Sequence, residues 1–575
     1  MDKINYFRIN KKNARNKTSL FIFLLLIASF VYSCKSSLVI EANKNTQSDS
    51  LFDVVVYGGT PAGIAAAIQA ARMGKSVALI EPTSHIGGIM VNGLGGTDID
   101  NHPEFQNSLA VGGLALEFYR KVAQYYGRLA EFDLKLNSKT KDATLWRFEP
   151  HVADEVIQKW IKEYPISVFY NSRLKEEKSA LKKEGTNIRN IEMEDGRLFT
   201  AKVFIDATLE GDLLANAGVS TTWGRESNTV YGETKNGIRA ETTHAQFSVK
   251  VDPYLIPGNP SSGVIPTIQN EPFGTPGEGD KSIQAYCFRM CLTRNANNRI
   301  AFVKPENYDR SQYEIYLRYL KSGGKLYTPA SVIPNEKTDL GAWHDLSHNL
   351  YGMNREYPNG SYADRQRVFD QHKTFTQGLF YFMANDPEVA QLNPSLQNTW
   401  KLWGLCKDEF ADNQGWPHQF YVRDARRMVS DYVITEHHTN RSNLTPVEDP
   451  VAIAYWPPDL HSARRIVKDG YAYNEGFVFG GNTWRPFGIS FRALVPKRNE
   501  CTNLFAPGCP SSSHVAYGAI RIEFTYMAMG QACAVAAAMA IDQSVQVQDI
   551  DYKSLKEKLI SFGQIINADQ VGMPE

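Results

Sequence analysis

Apolar positions along this chain fall into runs of different length and spacing. The first run, Leu20 to Phe30, follows a basic, polar stretch that carries Lys3, Arg8, Lys11, Lys12, Arg15 and Lys17. It is too short to span a bilayer comfortably, but it suits the apolar part of a secretory signal. The second, Asp53 to Tyr57 (DVVVY), is short and β-branched, as expected of a buried parallel strand. An Ala-rich stretch, Ile64 to Gly74, reads as a helix with a glycine at its carboxyl end. Val77 to Ile80 (VALI) reads as a second buried strand, closed by Glu81. Near the other end, Asn503 to Ala506 reads as a short strand leading to Gly508, and Phe524 to Ile541 as a helix rich in alanine. Its small residues allow close packing, and the Ala-rich helix at 62–73 is the expected neighbour.

The turn between the first strand and helix is Gly58, Gly59, Thr60, Pro61, Ala62 and Gly63. Strand, glycine turn, helix, strand and acid in this order form a dinucleotide-binding unit. Its helix N-terminus offers backbone N–H groups to a pyrophosphate. Glu81 lies eighteen positions after Gly63 (81 − 63), near the spacing at which an acid accepts ribose hydroxyls. The fingerprint departs at its middle glycine, which is Thr60 here. That side chain would either crowd a pyrophosphate or bind it through the hydroxyl. A second glycine-rich segment follows, His85 to Asp98, in which Gly87 and Gly88 permit close backbone approach to a ligand.

Composition narrows the function. Lys plus Arg and Asp plus Glu each total 62, so the net charge is zero, and no basic block follows the N-terminal segment. Nucleic acid is therefore not an expected partner. The 575 residues are 43% hydrophobic, ordinary for a large globular protein. After the apolar run come Val31-Tyr32-Ser33-Cys34, which resembles a bacterial lipobox with Cys34 as the lipidated residue. The expected location is thus exported and anchored by lipid, on a periplasmic or outer-membrane face, with residues 35–50 as a tether. No Arg-Arg pair precedes the apolar run, so a folded, cofactor-loaded export route is not indicated. Of the other cysteines, Cys501 and Cys509 could close a short loop. Cys287 and Cys291 are four apart and read as buried structural cysteines, with a redox dithiol the alternative. With neither a CxxC motif nor a zinc-spaced Cys/His cluster, no metal is expected.

GGTPAGIAAA, Glu81 and GGIMVNGLGGTDID resemble the bacterial FAD-dependent oxidoreductases with a glutathione-reductase-like flavin fold, some of which carry the label xanthan lyase. Further similar segments are EPHVA (149–153), FIDAT (204–208), GRE (224–226), IQAYCFRMCLT (283–293), FYVRDARRM (420–428), FRALVPK (491–497) and 503–538. The resemblance covers about residues 52–545. It implies an α/β fold in which a discontinuous Rossmann-type FAD-binding domain carries an inserted α+β substrate or cap domain. The expected layout is FAD domain at 52–235 with a helical insertion near 102–144, cap at 236–484, FAD domain again at 485–545, and a tail at 546–575. FAD is the implied cofactor, with Asp206 near the adenosine side and Gly530 and Gln531 on the helix aimed at the flavin.

The implied activity is hydride transfer between a small organic substrate, such as a sugar derivative, and flavin, with an electron acceptor that the sequence does not identify. The alternatives are an FAD-fold binding protein without turnover, a polysaccharide lyase, and an enzyme using NAD alone. For proton transfer His514, in SSSHVAYG, is the first candidate and Tyr517 the second. Arg289, Arg423 and Arg427 are candidate substrate clamps, with Arg423 and Arg427 on one face if their segment is helical. Ion pairing is the competing role for these arginines. His418 and His461 are further candidates to line a pocket.

Overall fold

The structure is a computed structural model. It describes residues 50–571 apart from the short segments 97–98, 100–107, 137–142, 243, 343, 443–444 and 481–483. The signal-like segment and Cys34 lie outside the described residues.

The core is a mixed sheet built on parallel pairs. Strands β1 (Ser50–Tyr57), β2 (Val77–Ile80), β3 (Ile166–Phe169), β4 (Leu181–Glu184), β5 (Asn187–Glu192) and β6 (Leu198–Asp206) stand in the order β3-β2-β1-β6-β5-β4. Strands β3, β2, β1 and β6 are parallel, and β5 and β4 add an antiparallel edge. The expected strand near 503 is Leu504–Phe505, which runs parallel to β6 opposite Phe204 and Ile205. Side chains alternate across the sheet with period two. Val54, Val56, Val77 and Leu79 enter one core, and Val55, Tyr57, Ala78 and Ile80 enter the other.

Helix α1 (Pro61–Arg72) covers the first face and ends as expected, with Gly74 at φ 73° two residues beyond. The helix Glu523–Gln543 lies directly on α1: a Cβ on Gly530 would sit 2.0 Å from the Ala62 carbonyl oxygen. That helix is long and apolar enough to cross a membrane, but it is buried as a core helix. Gly113–Tyr125, within the expected helical insertion, adds Phe118 and Val122 to the same core. The segment expected as a tail carries the helix Tyr552–Ser561, whose Leu555 and Leu559 are also buried there.

A second core, rich in aromatics, gathers Tyr286, Phe288, Tyr313, Phe380, Trp400 and Phe420 around the long helix Tyr362–Asn385. It lies within the span expected for the cap. Ile434 and Val451 to Trp456, in the same span, pack instead in the first core.

Candidate functional site

The parallel strands β2, β1 and β6 bring their carboxyl ends, Ile80, Tyr57 and Asp206, level with one another. In open α/β sheets this edge is where ligands bind. The glycine turn grows from it. Gly58 has φ 100°, a left-handed conformation that a side chain would strain. Gly63 must lack a Cβ, because one would stand 1.9 Å from the Gly58 carbonyl oxygen. Glycine at both positions lets α1 start immediately at the turn, and Thr60 and Pro61 at that start line the cavity described below.

Thr60 resolves the departure from the fingerprint. Its backbone is extended and it is the N-cap of α1, accepting from Gly63 N at 3.3 Å. Its hydroxyl donates to the Ala207 carbonyl at 2.6 Å, tying the turn to the end of β6. The hydroxyl is engaged by the protein itself, and Thr60 also lines the cavity described below. Glu81 is buried, and its carboxylate accepts from Gly59 N at 2.7 Å and Thr83 N at 2.7 Å. Burial pushes its pKa up, against the pull of those hydrogen bonds. Gly87 donates its N–H to the Gly59 carbonyl at 2.6 Å, so the second glycine segment folds back onto the first.

A cavity of about 300 Å³ runs from this turn. Its lining includes Gly58, Thr60, Pro61, Glu81 and Gly88 from the turn and the loop after β2, and also Tyr421, Arg521, Glu523 and Tyr526. Glu523 is the first residue of the helix Glu523–Gln543. Arg521 is buried there and donates to Tyr421 Oη at 3.0 Å and to the Asp459 carbonyl at 2.7 Å. Its guanidinium stands at the helix N-terminus with the Asp459 carboxylate 3.4 Å away, and Glu523 lies in the first helical turn. His418, Phe420 and Val422 add a wall from the cap.

Not every expected site residue meets this cavity. Asp206 is fully buried beneath it. Its carboxylate accepts from Thr208 Oγ1 at 2.6 Å and Leu214 N at 2.9 Å, and burial raises its pKa to about 6. It shapes the loop after β6 and is not among the lining residues. Gly530 and Gln531 lie two turns into their helix. There Gly530 meets Ala62, and Gln531 accepts from Leu114 N at 2.9 Å and donates to Gln69 at 3.2 Å. They join helices; the residues of that helix that line the cavity are Glu523 and Tyr526. The charged pair Arg521 and Glu523 directly before an apolar helix was the available sequence signal for this end.

The candidates for proton transfer are displaced as well. His514 is 2% exposed and opens a short helix capped by Ser513. Its Nδ1 lies 3.0 Å from Asp424 Oδ2 but is not aligned for a hydrogen bond. Its backbone N–H donates to Glu226 at 2.9 Å. Tyr517 donates to the Gly508 carbonyl at 3.1 Å and contacts Tyr526 Oη at 2.7 Å, one hydroxyl behind the cavity wall. Neither lines the cavity, and burial holds the Tyr517 phenol protonated.

The segment of Arg423 and Arg427 is not helical. It is extended, and Arg427–Met428 pairs with Thr221–Thr222. Arg423 is buried on the Ala285 carbonyl and donates to Asn349 Oδ1 at 3.1 Å. Arg427 is buried on Glu226 and the Ser512 carbonyl, and Arg289 pairs with Asp339 at 2.6 Å. All three make ion pairs or carbonyl bonds, while Arg423 Nε and one terminal nitrogen of Arg427 are buried without a hydrogen-bond partner. His461 is buried against Phe477 and off the cavity, whereas His418 lines it.

The thiols are arranged differently too. Cys501 faces Asn503, and Cys509 faces the Thr208 carbonyl. Cys287 lies beside Arg423, and Cys291 stands 3.9 Å from Cys406 across 115 residues of chain.

A family model described as FAD dependent oxidoreductase matches residues 53–559. Solved structures similar to parts of the chain include L-proline dehydrogenase from P. horikoshii, at 19% identity, TM-score 0.23, 30% of this chain and 58% of that one. T. acidophilum thioredoxin reductase is another, at 20% identity, TM-score 0.16, with 27% and 34% covered. A third is 3-ketosteroid-delta4-(5alpha)-dehydrogenase from Rhodococcus jostii RHA1, at 16% identity, TM-score 0.19, with 29% and 48% covered. In each case the match spans less than two thirds of the neighbour's length. A comparison with curated proteins finds no match. The glycine cradle, the buried acid after β2 and the cavity that continues to a helix N-terminus suit a flavin dinucleotide, and the family match extends over most of the chain. The chain belongs to the FAD dependent oxidoreductase family, and FAD is its cofactor.

Proposed function

We propose that this protein oxidises a small organic substrate, with a sugar derivative as the substrate class, while anchored outside the cytoplasm by a lipid on Cys34. One observation carries the redox reading: a single cavity joins the glycine turn and Glu81 to the positive end of the helix Glu523–Gln543. The α1 amides and Glu81 would hold the dinucleotide, and Arg521 would lie toward the ring end. FAD, when bound, supplies the hydride acceptor.

The chain supplies orientation and charge. Arg521, fixed by the Asp459 carbonyl, brings a permanent cation to the ring end, where negative charge on a reduced ring system is stabilised. Tyr421 accepts from Arg521, and burial raises its phenol pKa, so it remains an O–H donor at neutral pH. Glu523 is a carboxylate of the cavity wall and the group we assign to receive the substrate proton. Phe420 and Val422 exclude water from the cap side. The order of basic stretch, apolar run and cysteine supports the anchor.

The test is an absorption spectrum of the purified protein, before and after heat release of ligand, followed by anaerobic mixing with sugars, amines and hydroxy acids. Flavin bands, released FAD and bleaching by one substrate class are expected, and Glu523→Gln should slow the bleaching without loss of FAD. A colourless protein that takes up no added FAD would refute the assignment. Bound FAD that no donor reduces would leave a binding protein, and eliminating activity without flavin would leave a lyase. For the anchor, Cys34→Ala should release the protein from the membrane fraction; unchanged membrane retention would refute lipidation.

A further inference from the structure

Two histidines from distant parts of the chain stack face to face, and one of them, His418, lines the cavity. His85, on the loop after β2, and His418, on the cap wall, have ring centroids 3.9 Å apart and planes 21° apart. Both point Nε2 at one carboxylate. His418 Nε2 lies 3.1 Å from Asp412 Oδ1, and His85 Nε2 lies 3.5 Å from Asp412 Oδ2. The three groups offer ligand atoms within 4.8 Å of one another. Two ligands of one zinc-sized ion, at bond lengths of about 2.0–2.2 Å, stand about 3–3.5 Å apart. The spacings approach that, but stacked rings direct their in-plane lone pairs side by side, so one imidazole must turn out of the stack for both Nε2 atoms to reach a single ion.

The surroundings orient the ligands. Ser84 Oγ lies 2.8 Å from His85 Nδ1, which leaves Nε2 to face Asp412. Asn92 accepts from the backbone N–H of both His418 and Gln419, fixing the second imidazole's segment to the glycine loop. Asp412 sits in the turn Ala411–Asn413 between Phe410 at φ 49° and Gln414 at φ 57°, two non-glycine residues in the left-handed region. Such conformations persist where surrounding structure holds them, and they concentrate at binding sites. The other His and acid cluster of this kind, Glu149, His151 and Glu409, already holds a cation: Lys337 Nζ lies 2.7 Å from Glu149 and 2.6 Å from Glu409.

We propose that His85, His418 and Asp412 bind one divalent transition-metal ion that clamps the cap to the loop after β2. Two imidazoles and a carboxylate select zinc, iron(II) or cobalt over magnesium and calcium, which favour all-oxygen sites. Because His85 lies 327 residues before Asp412 (412 − 85), no spacing motif announces the three together.

The test uses the full chain, purified without a polyhistidine tag, stripped by chelator and titrated with Zn²⁺ by calorimetry, with metal content read by mass spectrometry. The expected result is one Zn²⁺ per chain, visible bands on Co²⁺ substitution, and a rise in melting temperature that chelator reverses. His85→Gln and His418→Gln should each weaken binding at least about tenfold, or about 1.4 kcal/mol, while the chelated variants melt as the chelated wild type does. The proposal is overturned by absence of saturable uptake up to about 1 mM Zn²⁺, or by uptake that survives unchanged in the double variant. Because melting and Co²⁺ spectra are read without substrate, their failure is separable from failure of the redox assignment.

Discussion

Removing the Thr60 hydroxyl should cost stability without costing cofactor affinity. The side chain makes two bonds that are both internal to the protein, to Gly63 N at 3.3 Å and to the Ala207 carbonyl at 2.6 Å. Loss of an N-cap bond costs about 1 kcal/mol. Loss of the second bond costs about another 1 kcal/mol, more if the Ala207 carbonyl finds no new donor. Thr60→Ala should therefore destabilise the apoprotein by about 2 kcal/mol, whereas Thr60→Ser should restore most of the loss. Urea unfolding of the apoprotein, followed by tryptophan fluorescence, measures the first quantity, and quenching of added FAD measures affinity. FAD affinity in Thr60→Ala should stay within about threefold of wild type, or about 0.7 kcal/mol. The reasoning fails if Thr60→Ala unfolds like wild type yet binds FAD tenfold or more weakly. That result would place the hydroxyl on the pyrophosphate and not on the Ala207 carbonyl.

Three other substitutions test separate parts of the structure. Glu81→Gln leaves either Gly59 N or Thr83 N facing an amide that cannot accept from it, so FAD affinity should fall at least about tenfold in the same titration. Gly530→Ala drives a Cβ to 2.0 Å from the Ala62 carbonyl oxygen; backbone cannot yield there cheaply, and a loss of about 3 kcal/mol or more is expected in urea unfolding. His372 is buried, with Nδ1 on the Val368 carbonyl, and burial lowers its pKa to about 4 from 6.5. A folded pKa below the unfolded one gives stability that is complete above pH 6.5 and is lost as pH falls toward 4. His372→Asn should therefore remove about 1.4 kcal/mol per pH unit from the wild-type slope in that window. Identical slopes would show that the imidazole titrates normally.

What could be read from the sequence was local. The order β1, glycine turn, α1, β2 and Glu81 occupies a short continuous stretch and was legible as elements, whereas the bond from Thr60 to Ala207 crosses 147 residues and was not. The strand at 504 and the helix at 523–543 were legible for the same reason, because run length and small-residue content decide them. Contacts across the fold were not legible. FYVRDARRM has the spacing of a helical face, but Arg423 and Arg427 are held extended by carbonyls at 285 and 512 and by Glu226. His514 reads as a base because of its neighbours in sequence, yet in space it is sealed against Asp424. Arg521 and Tyr421 meet only because the cap chain returns to the helix N-terminus. The stacked pair His85 and His418 is likewise a product of tertiary approach.

The pairing of Leu504–Phe505 with β6, and of the helix Glu523–Gln543 with α1, has a consequence for synthesis. Between the end of β6 and the end of that helix lie 337 residues (543 − 206). At about 5–20 residues per second, the ribosome needs roughly 20–70 s to supply them. Until residues 504–505 arrive, the carboxyl end of β6 at Phe204 and Ile205 lacks one strand partner, and until 523–543 arrive, the alanine face of α1 lacks its covering helix. The nucleotide unit therefore gains its last packing only when most of these residues have emerged. A chain of this design stays open while it is being made, a state in which it can be threaded through a narrow pore or held by a chaperone.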